Sequence, residues 1–301
     1  MEIKNFAELI SKVKGSGSVK RMVIAAAGEE HTIDAALHAM NEGIVRPIFV
    51  GDAAKIKEIL SEKNANIPDG DIYDAPEPEA AAAKAVELVR NGEGDFLMKG
   101  YLDTKVILKA VVNKETGLGT GRLMSHFTMF EVPGYHKILV AVDGGMVTYP
   151  DLQMKKEIIL NTIDVLHAYG YENPKVGVLA CVEKVNPKMP ETVDADELKK
   201  MNESGEIPGC IVEGPISYDC AMSKEIADFK GYESKIAGDV DVLIVPNIHA
   251  GNILGKVYTV TCKGNMAGFI VGAKCPIVLT SRGSSAEEKY MSIVVSAAAV
   301  K

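Results

Sequence analysis

The stretch VDVLIVPNIHAGNILGK, residues 240–256, joins a short apolar run to a turn, two glycines and a helix-like segment. Most such runs in this chain are continuously apolar rather than alternating, which is typical of parallel strands covered by helices on both faces. Besides Val240–Val245, we predict strands at Met22–Ala27, Pro47–Val50, Phe96–Met98, Lys137–Val142, Val176–Ala180, Cys210–Val212 and Pro276–Thr280.

Helical segments separate these runs. Pro78–Arg90 is rich in alanine, begins with a proline that the first helical position tolerates, and ends before Asn91-Gly92. Pro150–Tyr169 carries an apolar stripe at helical spacing, and Asp52–Asn64 begins with a possible N-cap aspartate. The alternation predicts an α/β fold with mostly parallel sheets.

The length of 301 residues suggests two domains at about 150 residues each. Plausible crossing points are Val132–Tyr135 and Lys263–Gly268, so the last strand and helix would return to the first domain. We therefore predict one discontinuous α/β domain, 1–133 plus 268–301, and a second, 134–267. In open α/β sheets ligands bind beyond the carboxyl ends of the strands, often in a cleft between domains.

Charge and composition exclude several classes of protein. The chain has 33 basic and 41 acidic side chains, and this excess argues against nonspecific binding to nucleic acid. No apolar run reaches the length of about 18 residues that a membrane helix needs, and the N-terminus lacks a secretion signal. The five cysteines form no CxxC pair and the six histidines have no metal-site spacing. We expect a cytoplasmic protein with reduced, mostly buried thiols, and neither a metal nor a membrane partner.

The segment TSRGSSAEEKY, residues 280–290, follows a predicted strand and begins a helix. A helix N-terminus attracts anions, and Arg282 adds a permanent charge on a planar fork that suits phosphate. Ser281 and Ser284 can hydrogen-bond oxygens. The same segment contains S-x-x-E twice, which is also the pattern of a helix capping box. An anion site and a capping role for Glu288 both stay open.

Other glycine-rich segments point to no specific chemistry. The segment after Val245 is one residue short of a P-loop and has Val257 where Ser or Thr is required, which excludes a Walker A site. His249 fits a turn or helix start better than a metal site. GLGTGR, Gly117–Arg122, is not a dinucleotide fingerprint and fits a ligand loop or a surface loop. Lys99 follows a strand and either neutralises a phosphate or is an ordinary surface lysine.

Six ordered motifs carry a family resemblance: LMKG at Leu97–Gly100, TGRLMSH at Thr120–His126, NPKMPETVDA at Asn186–Ala195, GCIVEGPISYD at Gly209–Asp219, PNIHAGNILGK at Pro246–Lys256 and PIVLTSRGSS at Pro276–Ser285. Together they resemble the phosphate acetyl/butyryl transferase family. The NPKMP and EGP–D blocks resemble its butyryl branch more than its acetyl branch.

The resemblance implies a reversible reaction in which butyryl-CoA and inorganic phosphate give butyryl phosphate and free CoA. Phosphate would attack directly in a ternary complex, with no metal, no covalent acyl-enzyme and no permanently bound cofactor. The resemblance also implies two α/β domains with a cleft between them, similar to the isocitrate/isopropylmalate dehydrogenase fold. A homodimer or a larger homo-oligomer is expected.

The resemblance also implies residue roles. In the acetyl enzymes the Ser-Arg pair and an acidic residue seven positions after that Ser are catalytic. Here these positions are Ser281, Arg282 and Glu288, and Glu288 stands where the acetyl enzymes have Asp. Arg282 would hold phosphate, Ser281 would bond the oxyanion or the CoA sulfur, and Glu288 would act on the CoA thiol or orient Arg282. The expected substrate contacts are Lys99, Gly100, Ser125, Asn252 and Gly283.

Several alternatives remain. Acetyl, propionyl and branched short acyl groups are open as substrates, because one methylene in an apolar pocket discriminates by only about 1–3 kcal/mol. A dehydrogenase on the same fold would need clustered metal-binding aspartates, which the sequence does not contain. A non-catalytic binding protein would not need an intact Ser281-Arg282 pair. Phosphate-dependent release of CoA separates the three classes.

Overall fold

The computed structural model describes residues 2–281 and 283–300. Its strands are β1 (Lys20–Ala25), β2 (Val45–Gly51), β3 (Ile72–Asp74), β4 (Phe96–Lys99), β5 (Ser125–Glu131), β6 (Leu139–Val142), β7 (Lys175–Leu179), β8 (Ile211–Ile216), β9 (Val242–Ile244), β10 (Asn265–Val271) and β11 (Ile277–Val278).

The helices are α1 (Phe6–Gly15), α2 (Glu30–Asn41), α3 (Ala53–Glu62), α4 (Pro78–Arg90), α5 (Thr104–Val111), α6 (Leu152–Ala168), α7 (Pro190–Glu203), α8 (Tyr218–Met222), α9 (Lys224–Phe229), α10 (Ile248–Lys256) and α11 (Ala286–Ala299). A 3₁₀ turn covers Asp69–Asp71, and a π-helical turn, Val257–Thr261, continues α10.

The chain divides into two compact units. We call Ala7–Arg122 with Ala267–Lys301 the terminal unit, and Met1–Phe6 with Leu123–Met266 the central unit. The N-terminal residues join the central unit because Ile3 is fully buried there and its backbone carbonyl accepts a hydrogen bond from Ile138.

The terminal unit is built on strands in the order β3-β2-β1-β4-β11-β10. Neighbours from β3 to β11 are parallel, and β10 is antiparallel to β11. Ala25, the last residue of β1, lies opposite Lys99, the last residue of β4. The chain therefore leaves β1, β4 and β11 at one edge of the sheet. Helix α11 packs on α2 and on β11.

The central unit has the strand order β5-β6-β9-β7-β8. All pairs are parallel except β5 with β6. Helix α7 packs on β7 and β8, and α6 packs on β5 and α7. A core cluster that includes Phe130, Leu243 and Tyr258 fills the space beneath α8 to α10.

The α/β class with mostly parallel strands is confirmed, and all eight predicted strands are present. Helix α4 has the predicted bounds, and Asp52 caps α3 by accepting a hydrogen bond from the Lys55 amide. Three strands were not predicted: β3, β5 and β10. Two of these strands form antiparallel pairs, β5 with β6 and β10 with β11. The described helices include none that is both long and apolar enough to cross a membrane.

The predicted division at 133/134 differs from the unit boundary at Arg122/Leu123. The reason is β5, which pairs with β6 and so lies in the central unit. The position at which the chain was predicted to return to the first domain, 267/268, is one residue from the Met266/Ala267 boundary of the units. That each unit is a domain in its own right stays a prediction.

Candidate functional site

The edge where β1, β4 and β11 end in the terminal unit is tightly packed around Gly100. The Gly100 amide donates a hydrogen bond to the Ala25 carbonyl at 2.8 Å. A Cβ at position 100 would lie 2.3 Å from the Ala26 carbonyl oxygen and 2.8 Å from that of Ala25. Only glycine therefore lets the segment after β4 lie against the segment after β1.

A recess of ≈ 40 Å³ lies at this edge, and we call it the terminal-unit recess. Three of the predicted site residues line it: Lys99, Gly100 and Ser281. The rest of its lining is Glu29, Thr32, Tyr101, Thr280 and Lys289. The structure thus brings together the LMKG motif and the first residues of the SRG turn within one unit.

Two buried lysines line the recess. Lys99 is 4% exposed, and its Nζ donates to the carbonyls of Gly100 at 3.2 Å and Leu102 at 3.3 Å. Lys289 is 3% exposed, and its Nζ donates to the Ser284 carbonyl at 3.0 Å. The alternative that Lys99 is an ordinary surface lysine is therefore wrong.

Glu29 is the carboxylate of the recess and the N-cap of α2. It accepts from the amides of His31 at 3.0 Å and Thr32 at 2.9 Å, and from the Thr32 hydroxyl at 2.5 Å. Burial pushes the pKa of Glu29 upwards, but the hydrogen bonds from Thr32 and the charge of Lys289 outweigh it and lower the pKa. The recess is thus lined by two ammonium groups and one ionised carboxylate.

The turn after β11 begins α11. Ser281 is exposed, its carbonyl accepts from the Ser284 amide at 3.1 Å, and its Oγ accepts from the Gly283 amide at 3.4 Å. Arg282 lies outside the described residues. A Cβ at Gly283 would meet nothing within 4 Å, so packing does not require glycine there. The predicted contact of Gly283 with substrate stays a prediction.

Glu288 completes a capping box at the start of α11. Ser285 Oγ accepts from the Glu288 amide, and Glu288 Oε2 accepts from the Ser285 amide, both at 3.2 Å. The Glu288 side chain is exposed. The capping alternative is therefore confirmed, and a catalytic role for the same carboxylate stays a prediction.

Two predicted contacts, Ser125 and Asn252, belong to the central unit. Ser125 begins β5, is 1% exposed and accepts a hydrogen bond from Asn161 Nδ2 at 3.2 Å. Asn252 lies on α10, and its Nδ2 donates to the Gly144 carbonyl at 3.3 Å. Buried Ser125 supports the local packing, whereas Asn252 links α10 to the loop after β6.

The loop after β6 contacts α10 through two glycines. A Cβ on Gly144 would lie 2.9 Å from the Gly251 carbonyl carbon, and one on Gly251 would lie 2.7 Å from Gly144 Cα. The two backbones are therefore in direct contact. This contact is the structural reason for glycine at both positions.

His126 and Asp143 lie beside this loop and were missed by the sequence analysis. Asp143 is 2% exposed, and it accepts from the amides of His126 at 2.7 Å and of Gly145 and Met146 at 2.8 Å each. Burial lowers the pKa of His126, and the Asp143 charge opposes this only in part. The imidazole is therefore neutral near pH 7. Asp143 directly follows β6 and His126 ends the TGRLMSH motif, and these positions are the signal that could have identified them.

Glu29, Thr280 and Lys289 were also missed. The segment Gly28-Glu29 directly follows the predicted strand Met22–Ala27, as Lys99-Gly100 follows the predicted strand Phe96–Met98. Thr280 and Lys289 both belong to the segment TSRGSSAEEKY, but the sequence did not reveal that Lys289 is buried. These segments come together because neighbouring parallel strands end side by side. Predicting the contact therefore requires the order of the strands in the sheet.

A charged cluster at the carboxyl ends of β7 and β8 resembles a metal site. The ligand atoms of Glu183, Asp219 and Cys220 lie within 4.8 Å of one another. Lys230 Nζ lies 2.9 Å from both Glu183 Oε1 and Asp219 Oδ2. Hydrogen bonds from Ser217 and Lys230 lower the pKa of Asp219 to about 2. The ammonium group already provides the cation that these carboxylates bind.

The five cysteines are free thiols. Cys210, Cys220 and Cys275 are buried, and Cys181 and Cys262 are exposed. Burial raises the pKa of Cys210 to about 11 and that of Cys275 to about 12, which makes these thiols poor nucleophiles. The prediction of mostly buried, unpaired thiols is confirmed.

Comparison with known proteins identifies the family. The family model described as phosphate acetyl/butaryl transferase matches residues 77–297. The phosphate butyryltransferase of Clostridium acetobutylicum is 42% identical over 98% of this chain and 98% of its own. The phosphate acetyltransferase of Thermotoga maritima is 40% identical over 96% of this chain and 98% of its own.

Solved structures agree. A branched-chain phosphotransacylase from Enterococcus faecalis V583 superposes with a TM-score of 0.82 at 30% identity, covering 94% of this chain and 99% of its own. 4-Hydroxythreonine-4-phosphate dehydrogenase from Klebsiella pneumoniae shares the fold alone. Its TM-score is 0.59 at 12% identity, covering 94% of this chain and 100% of its own. This supports the expected dehydrogenase-like fold. The chain belongs to the phosphate acetyl/butyryl transferase family.

Proposed function

We propose that the protein transfers a butyryl group reversibly between CoA and inorganic phosphate. The observation that carries this proposal is the terminal-unit recess, where two buried ammonium groups and Ser281 meet at the carboxyl ends of parallel strands. Phosphate is a substrate in either direction of such a reaction, as the free ion or as part of the acyl phosphate. A small recess lined by two lysine side chains and a serine hydroxyl suits that group.

The reaction we propose is direct attack by a phosphate oxygen on the thioester carbonyl. A new C–O bond forms, the carbonyl becomes a tetrahedral oxyanion, and the C–S bond then breaks to release the CoA thiolate. Arg282 would hold phosphate and the developing charge, and Ser281 would donate to the oxyanion or the sulfur. Glu288 would orient Arg282, or accept the thiol proton in the reverse direction. Holding both substrates together supplies much of the acceleration.

The preference for butyryl rests on the NPKMP block and on the names of the relatives. Since the two relatives are 42% and 40% identical, overall identity does not separate the branches. The block lines a pocket of ≈ 290 Å³ in the central unit, formed by Leu179, Ala180, Cys181, Met189, Glu191, Thr192 and Pro246. A mostly apolar pocket next to the block that indicates the butyryl branch supports a short apolar acyl group.

Release of CoA from butyryl-CoA, followed with a thiol reagent with and without phosphate, tests the proposal. We expect release that depends on phosphate, and a lower kcat/KM with acetyl-CoA. Arg282→Ala is the inactive control, because loss of one transition-state donor costs about 100- to 1000-fold in kcat. Equal or better kcat/KM with acetyl-CoA would assign the chain to the acetyl branch. Release that is independent of phosphate would refute the acyl transfer itself.

We also propose that the enzyme works in the cytoplasm as a homodimer or a larger homo-oligomer, without a metal or a permanently bound cofactor. The thioester carbonyl is already activated towards a nucleophile, so positioning and charge stabilisation suffice for the transfer. The acidic net charge of −8 does not favour nucleic acid as a partner.

A further inference from the structure

Three charged side chains line the terminal-unit recess: Lys99, Lys289 and Glu29. Lys289 Nζ lies 3.6 Å from Glu29 Oε2, which is an ion pair but too long for a hydrogen bond. The Glu29 carboxylate instead accepts hydrogen bonds from the first turn of α2 and from Thr32. Among the described residues, Lys289 Nζ donates to the Ser284 carbonyl and not to Glu29, so its ammonium group can still donate to a ligand in the recess.

Thr280 provides a second, independent observation. Its Oγ1 is buried, and within residues 2–281 and 283–300 it has no hydrogen-bond partner. Thr280 lines the recess together with Ser281 and Lys289. A buried hydroxyl without a partner destabilises a fold unless a ligand or water supplies an acceptor. An orphan donor and two ammonium groups around one small space point to an anion with several acceptor oxygens.

We propose that Thr280 and Lys289 are phosphate-binding residues, and that Glu29 holds Lys289 in position. The inference rests on the proposed function, in which inorganic phosphate is a substrate. The recess of ≈ 40 Å³ has room for roughly three water molecules at about 10–15 Å³ each, which suits a small tetrahedral oxyanion. The Ser284 carbonyl, which accepts from Lys289, ties this ammonium to the SRG turn.

Thr280→Val is the decisive variant, because it removes the hydroxyl and keeps the shape of the side chain. In buffer without phosphate we expect its melting temperature to equal or exceed that of the wild type, since an unsatisfied buried hydroxyl is gone. The rise in melting temperature that inorganic phosphate gives the wild type should shrink in the variant. The KM for phosphate should increase about tenfold, and the KM for butyryl-CoA should stay within twofold.

Lys289→Met and Lys289→Arg test the charge. We expect the Lys289→Met variant to have a KM for phosphate that is about ten- to hundredfold higher, because a charge-assisted hydrogen bond to phosphate is lost. Arg should rescue part of this, because it keeps the charge with a different geometry. The matched control is Lys155→Met in the central unit: Lys155 is 4% exposed and pairs with Asp194 at 2.6 Å. That control should lower the melting temperature and leave the KM for phosphate unchanged.

Wild-type phosphate KM values in Thr280→Val and Lys289→Met, together with an undiminished thermal shift by phosphate, would overturn the inference. So would a parallel rise of the KM for both substrates, which is the signature of a merely structural role. Failure of the proposed function looks different: the wild type would release no CoA with phosphate, while the thermal shift by phosphate would still depend on Thr280. Glu29→Gln should weaken phosphate binding less than Lys289→Met does.

Discussion

Glu288 illustrates how one side chain can serve two roles that the sequence could not separate. Its carboxylate closes the capping box with Ser285, and the family resemblance assigns the same position to catalysis. The S-x-x-E pattern predicted the cap, because capping depends only on local spacing. A catalytic role depends on the orientation of a neighbouring arginine and of the substrate, which local spacing does not determine.

Glu288→Gln separates these roles, because a glutamine still accepts the hydrogen bond from the Ser285 amide. We expect its melting temperature to stay within about 1 °C of the wild type, because the capping hydrogen bond is kept. A change of 1 kcal/mol in the free energy of unfolding would shift the melting temperature by about 2–4 °C in a domain of this size. Loss of the charge should lower kcat at least tenfold. Glu288→Ala should lower both kcat and the melting temperature. A glutamine variant with wild-type kcat would leave Glu288 as a cap only.

Burial is the residue-scale property that the sequence conveyed least well. Lys99 and Lys289 are charged residues of a type that is mostly exposed, yet they are 4% and 3% exposed. Lys99 was singled out because it follows a strand, and Lys289 was not, because it follows two glutamates in a helix start. Lys289 is paired with Glu29, which lies near the other end of the chain, so no local pattern shows this contact.

At the level of elements, continuous apolar runs predicted the parallel strands well. Strands β5 and β10 were not predicted, because they have antiparallel neighbours and their apolar residues are interrupted by polar or small ones, such as His126 and Thr128 in β5. Helix α4 was predicted to the residue because its proline and its Asn-Gly stop are local signals. The order of strands, and therefore which loops meet, is a long-range property that no local pattern contains.

The charged cluster after β7 and β8 makes a pH-dependent contribution to stability. The pKa of Asp219 falls to about 2 in the folded protein, against about 3.9 for an unperturbed aspartate. Because the folded-state pKa is lowered, the stabilisation is complete above the unfolded value and is lost as the pH falls towards 2.

We therefore expect Asp219→Asn to lower the urea midpoint at pH 7, and to lower it by less at pH 3. Asp69→Asn is the control, because its side chain is 88% exposed and pairs with Lys57 at the surface. Equal loss of stability in Asp219→Asn at both pH values would contradict the electrostatic explanation. Urea unfolding of the three proteins at each pH is the measurement.

On the scale of the whole molecule, the central unit presents apolar side chains on α10 and the π-helical turn that follows it. Ile253, Val257 and Val260 are 64%, 41% and 61% exposed. A contiguous exposed apolar patch is typical of a protein–protein interface. The family resemblance predicts a homo-oligomer, and we propose a second copy of this chain as the partner of this surface.

We expect the protein to sediment as a dimer or a larger assembly, and Ile253→Glu with Val257→Glu to shift it towards the monomer. Val112→Glu, at an exposed valine of the terminal unit, is the control and should leave the sedimentation coefficient unchanged. Analytical ultracentrifugation over a range of concentrations checks both. An unchanged assembly in the double variant would move the interface to another surface.

The contact between Gly144 and Gly251 constrains how this chain can vary. Since each backbone occupies the space where the other residue would carry a Cβ, a substitution at one position cannot be compensated by making the other smaller. In a saturation-mutagenesis library we expect both positions to tolerate no replacement, although neither offers a side chain to a substrate. Intolerance to mutation is therefore not by itself a sign of chemistry, and a map of mutational effects needs the backbone contacts beside it to distinguish scaffold from active site.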